Sequence, residues 1–273
     1  MLPETHRNLT PPPLHPALKP YRADLEAVAK PTWLLKCREA ETVSRFETQI
    51  GGNRPFVLVD GGWPRCERCG KPLDFIWQID FADFAGVGTF ARQGLFQFFY
   101  CWHRFAFPQD GFGWASRWYP DFDAEQMNDV PQLDALDQLK EMAEDVRPWC
   151  IETEPFLSVP GKFDAENPIP TEAQNTRVSE DGCRIWAVYG STESLYLEGA
   201  MLSRVGGHPP WVQFDDDMPQ CPVCGGWAEL IGAIGSHDTG LLWDDSGYWY
   251  VFACWATEAC GGLDRPMMVH QCY

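Results

Sequence analysis

Pro219-Gln220-Cys221-Pro222-Val223-Cys224-Gly225-Gly226 restates, 155 residues downstream, the pattern of Pro64-Arg65-Cys66-Glu67-Arg68-Cys69-Gly70-Lys71. The match extends upstream without a gap. Gly51-Gly52, Pro55 and Val57 correspond to Gly206-Gly207, Pro210 and Val212 at the same offset. Downstream, Gly94, Phe99, Cys101 and Trp102 correspond to Gly247, Phe252, Cys254 and Trp255 at an offset of 153. So many identities at a nearly constant offset read as an internal duplication.

Working outward, residues 44–120 form the first repeat and 196–273 the second. Residues 1–43 read as a proline-rich N-terminal arm with a short helix over 21–29, stopped before Pro31. Residues 121–195 read as a helical and loop-rich connector: Leu133, Leu136, Leu139 and Met142 recur at helical spacing in an acidic stretch, and four prolines follow between 155 and 170. Both repeats are rich in aromatic and β-branched residues punctuated by glycine, and 94–102 reads as a buried strand. The expected fold class is α+β, mainly antiparallel β. The two repeats are expected to form two lobes packed together about a pseudo-twofold axis.

In the second repeat Cys221 and Cys224 sit two residues apart in a turn, with Gly225 free to take the positive φ that such a turn needs. Cys254 and Cys260 follow about 30 residues later, at the end of a strand and just beyond it. Four thiolates so spaced suit a closed tetrahedral site, so the expected cofactor is one structural zinc ion. A thioredoxin-like redox pair is the competing reading, but proline and paired glycines are poor openers of a helix. In the first repeat Cys66, Cys69 and Cys101 align with three of these ligands, while the place of Cys260 falls on Phe107. His103, two residues beyond Cys101 and on the same strand face, is a candidate fourth ligand for a second zinc. A metal-free copy held by its aromatic core is the alternative.

Eleven cysteines, an odd number, in a chain whose first residues lack the pattern of a secretory signal argue for metal ligation in a reducing compartment over a disulfide framework. The expected location is the cytoplasm. No run approaches the ~20 apolar residues that span a bilayer. The formal net charge of −18 repels phosphate backbones, so nucleic acid is not an expected partner, whereas a basic protein is. No Walker loop, dinucleotide fingerprint, nucleophile elbow or HExxH motif is present. His208 and the Asp244-Asp245 pair are candidates for a site in a cleft between the repeats, without a motif to assign them a role.

The stretches Trp63-Pro64-Arg65-Cys66, Cys69-Gly70-Lys71-Pro72-Leu73 and Phe75-Ile76-Trp77-Gln78-Ile79-Asp80, with their second-repeat counterparts, resemble the YwqG-like bacterial family of unknown function. The arrangement of Cys221, Cys224, Cys254 and Cys260 is also similar to that of the programmed-cell-death-protein-2 family. The first resemblance implies an immunity protein, the second a chaperone for a ribosomal protein. Either would be a non-enzymatic module for a basic client. The rivals are an enzyme with its site between the repeats, and a zinc or redox sensor.

Overall fold

The computed structural model describes residues 16–39, 43–44, 46–51, 62–84, 94–102, 113–121, 149–160, 170–174, 177–180, 183–186, 203–213, 218–236, 239, 241, 243 and 246–272. Ten strands make one antiparallel sheet in the order β12-β11-β10-β9-β1-β6-β2-β3-β4-β5. In chain order these are β1 (Lys30–Glu39), β2 (Gln49–Ile50), β3 (Asp74–Asp80), β4 (Leu95–Tyr100), β5 (Trp114–Tyr119), β6 (Trp149–Ser158), β9 (Arg204–Gly206), β10 (Glu229–Gly235), β11 (Tyr248–Ala253) and β12 (Met267–Gln271). β7 (Arg177–Glu180) and β8 (Cys183–Trp186) form a separate hairpin. Helix is scarce among the described residues: α1 (Arg22–Val28), α2 (Thr171–Gln174) and short 3-10 turns. The class is α+β with mainly antiparallel sheet.

The strand order reads the same from either edge. β2-β3-β4-β5 runs outward from β6 as β9-β10-β11-β12 runs outward from β1. At the centre β1 and β6 pair over ten residues, from Lys30↔Ser158 to Glu39↔Trp149. Each then hands over to the other half: Trp33 of β1 lies opposite Val205 of β9, and Trp149 of β6 opposite Ile50 of β2. Cross-strand ion pairs Lys36–Glu154 and Arg38–Glu152 run across the joint, with both bases on β1 and both acids on β6.

β1 and β6 occupy stretches that the sequence pattern assigns to the arm and the connector. Pro31 and Pro155 obscure them. Each proline has a neighbour on one side only, because the β1–β9 pairing begins at Thr32 and the β6–β2 pairing stops at Cys150. A residue without an N–H is tolerated at such an edge position. α1 forms within the predicted 21–29, and 94–102 does contain β4. The helical stretch expected through Leu133, Leu136, Leu139 and Met142 lies outside the described residues.

Alternation along the strands sorts side chains into two layers. Phe96, Phe98, Tyr100 and Trp102 on one side, and Trp249 and Val251 on the other, join Trp33, Trp77 and Trp243 in one inner core. The halves therefore close face to face as well as joining edge to edge. Phe98 and Trp249 rings are 5.4 Å apart, Tyr100 and Trp243 5.5 Å, and Trp102 stacks on Trp243 at 4.7 Å. The opposite faces carry smaller clusters. Leu73, Phe75 and Phe99 pack with Cys66 and Cys101 in the N-terminal half, and Trp211, Tyr248, Tyr250 and Phe252 pack together in the C-terminal half.

Candidate metal centre

Two turns, 155 residues apart, are built by the same hydrogen bonds. In the N-terminal half the Cys66 amide donates to the Lys71 carbonyl and the Gly70 amide to the Cys66 carbonyl, both at 2.8 Å. In the C-terminal half the Cys221 amide donates to the Gly226 carbonyl and the Gly225 amide to the Cys221 carbonyl, again at 2.8 Å. The turns require left-handed backbone at their glycines, φ +71° at Gly70 and +72° at Gly225. A β-carbon at either would meet nothing within 4 Å, so the requirement for glycine is purely conformational. Below each turn the outer row of a strand ends in a cysteine: Phe99 then Cys101, Phe252 then Cys254.

In the C-terminal half the Sγ atoms of Cys221, Cys224, Cys254 and Cys260 all lie within 4.8 Å of one another. Cys224 and Cys254 are 3.6 Å apart, far beyond a disulfide bond. A tetrahedral ion with metal–sulfur bonds of ~2.3 Å holds its sulfurs about 3.8 Å apart. The fourth cysteine comes from the 3-10 turn Glu258–Cys260, which closes back on the strand through a Gly262 amide to Cys254 carbonyl bond of 3.2 Å. Cys221, Cys254 and Cys260 are buried and Cys224 is exposed.

The thiols of this cluster do not titrate alike. Hydrogen bonds from the Cys224 and Val223 amides pull the Cys221 thiol down. The Thr257 hydroxyl, 3.1 Å from Cys260 Sγ, pulls that thiol down to about 6. The Ala256 amide acts the same way on Cys254, yet burial and the three neighbouring sulfurs push it up to about 12. Without a positive ion, four sulfurs this close cannot all ionise.

In the N-terminal half Cys66, Cys69 and Cys101 are likewise brought within 4.8 Å, with Cys69 and Cys101 3.7 Å apart. His103 lies outside the described residues. Both clusters are positioned to hold a metal ion. Cys37, on β1, instead packs against the inner core.

His208 takes a structural place. Its Nε2 is 2.9 Å from the Val28 carbonyl and its amide donates to Ser158 Oγ at 2.9 Å, which ties the end of α1 to the β1–β6 joint. Asp244 and Asp245 lie outside the described residues. Sequence reasoning missed Asp74, buried at the start of β3 opposite Tyr100, whose carboxyl burial pushes up to about 7. Its only signal was a carboxylate directly before the apolar run Phe75-Ile76-Trp77.

No helix among the described residues is long and apolar enough to cross a membrane. No curated protein matches the chain in sequence. A family model described as "Domain of unknown function (DUF1963)" matches residues 48–257, over three quarters of the chain, including both cysteine turns and Cys254 but stopping short of Cys260. The chain belongs to the DUF1963 family.

Proposed function

We propose that this protein is a duplicated, zinc-stabilised protein-binding module without catalytic activity, serving as an immunity protein or dedicated chaperone for a basic client. The observation that carries this reading is the convergence of four thiols in the C-terminal half. A set of four cysteine ligands leaves no open position for substrate or water, the mark of a structural rather than a catalytic zinc. Cys66, Cys69 and Cys101 would hold a second ion, with His103 as candidate fourth ligand. The duplication is supported by the shared hydrogen bonds of the two turns and by a strand order that reads alike from both edges. The net charge of −18 favours a basic client. The resemblance to the YwqG-like and programmed-cell-death-protein-2 families points the same way.

One observation favours an enzyme. A carboxyl near 7, as at Asp74, lies in the range useful for acid–base chemistry. Burial beside the inner core accounts for Asp74 without a substrate, so binding is the preferred reading.

The test joins metal analysis to affinity capture. The purified chain is expected to carry two zinc ions, Cys224→Ser one, and Cys69→Ser one. The tagged chain is expected to recover one basic protein in stoichiometric amount from native lysate, with release at high salt. Recovery of no protein at any salt would overturn the binding reading, and a metal-free chain would overturn the zinc.

A further inference from the structure

We infer that the cysteine turn of the C-terminal half is the docking point for a basic segment of the partner protein, with Trp227 and Val223 as its anchors. This rests on the protein-binding reading above and locates its surface.

Among the described residues the exposed large hydrophobics are Val223, 46% exposed, and Trp227, 57% exposed. Both belong to one turn over the four cysteines. The exposure is not a consequence of building that turn. The N-terminal turn makes the same hydrogen bonds with Arg68 where Val223 stands and Pro72 where Trp227 stands. The fold therefore does not need a valine or a tryptophan at these positions, and burial within the chain does not reward them.

The backbone that carries the indole is also held in place. Gln220 and Trp227 form a backbone β-bridge, and the Ala228 amide donates to the Pro219 carbonyl at 3.0 Å. The thiol cluster fixes the other side of the turn. An aromatic anchor presented on a rigid backbone loses little entropy on binding, and Trp is among the residues that most often dominate an interface.

Charge selects the occupant. The segments 218–229 and 254–265 carry three acids, Glu229, Glu258 and Asp264, all exposed, against one base, Arg265. Glu229 follows Trp227 by two residues in an exposed–buried–exposed alternation, so both face solvent together. Four thiolates around a divalent ion add two further negative charges. An Arg or Lys of the partner can lie over the indole face with its stem on Val223 and its charge near Glu229. A second copy of this chain, also at −18, would be repelled.

The experiment uses the full-length, zinc-loaded chain and three fluorescein-labelled 15-residue peptides. These share the same Leu and Tyr positions and carry Arg, Ser or Glu at the others. Fluorescence anisotropy is expected to detect binding of the Arg peptide alone, weakened in 500 mM salt. Trp227→Ala is expected to weaken it at least tenfold and Val223→Ser severalfold, with zinc content and melting temperature unchanged. The inference is overturned if no peptide binds, if binding ignores charge, if Trp227→Ala binds like the parent, or if sedimentation shows Trp227-dependent self-association. If Trp227→Ala still captures the lysate client in full, this surface falls and the binding-module reading stands. If the parent captures none, that reading falls as well.

Discussion

Asp74 and Glu229 occupy matching places, each opening the second strand of its half, yet their surroundings differ. Asp74 lies opposite Tyr100 and is buried, whereas Glu229 lies opposite Ala253 and is exposed. Burial raises the Asp74 carboxyl from 3.8 to about 7. The folded chain therefore holds a proton there that the unfolded chain releases, and stability is lost as pH rises from about 4 to about 7. At 1.36 kcal/mol per unit, discounted for partial hydration, Asp74→Asn is expected to stabilise the protein at pH 8 by about 1–3 kcal/mol. His208 has the opposite sign. Burial, then Lys30 nearby, lowers it from 6.5 to about 3. Its contribution is present above 6.5 and lost as pH falls towards 3. Between about 4 and 6.5 the two oppose each other, so the parent is expected to show a shallow slope in that window. Asp74→Asn should then show stability rising with pH. Urea unfolding at pH 5, 6 and 8 checks this, and a slope unchanged by the substitution would show that Asp74 is not desolvated.

At the scale of elements, the bulge in β10 between Leu230 and Gly232 matches one in β3 between Phe75 and Trp77. The two meet across the interior. A β-carbon on Gly232 would overlap the Trp77 ring and lie 2.8 Å from the Arg204 carbonyl oxygen. Because backbone cannot yield as a side chain can, Gly232→Ala is expected to cost roughly 1–3 kcal/mol, read from the denaturation midpoint. Gly225→Ala strains only a left-handed φ and is expected to cost about 1–2 kcal/mol. The cysteine turns were legible in the sequence because their ligands are local: two residues apart in a turn, then the end of a strand. β4 was legible for the same reason, as a local run of aromatic residues interrupted only by Gln97. β1 and β6 were not. Their prolines and alternating charges read as arm and connector, and their strand character comes from neighbours more than 100 residues away. Nor was Trp227 legible as a surface residue, since a tryptophan beside a cysteine turn reads as core until its exposure is seen.

Considered as a whole molecule, two repeats in sequence suggest two lobes that melt separately, with metal loss loosening one of them. The topology argues otherwise. β1, which precedes the first repeat, is flanked by β9 of the second, and β6, which precedes the second, by β2 of the first, so each half of the sheet is completed by the strand that leads into the other. The inner core takes Trp33, Trp77 and Phe98 from one end and Val205, Trp243 and Trp249 from the other. To unfold one half would strip a central strand from the other and expose its aromatic face. The cysteine clusters, by contrast, sit on the outer faces at the strand ends. In small peptides a structural zinc contributes about 10–16 kcal/mol of apparent binding energy to folding, and only the folded chain presents four converged thiols. Chelation is therefore expected to lower the melting temperature of the entire chain, and calorimetry should still show one transition. Tryptophan fluorescence, which reports the shared core, and thiol reactivity, which reports the cysteine clusters, should change together, at one temperature before chelation and at one lower temperature after it. Two resolved transitions in the metal-free protein would mean that the joint at β1 and β6 contributes little, and that each half carries its own stability.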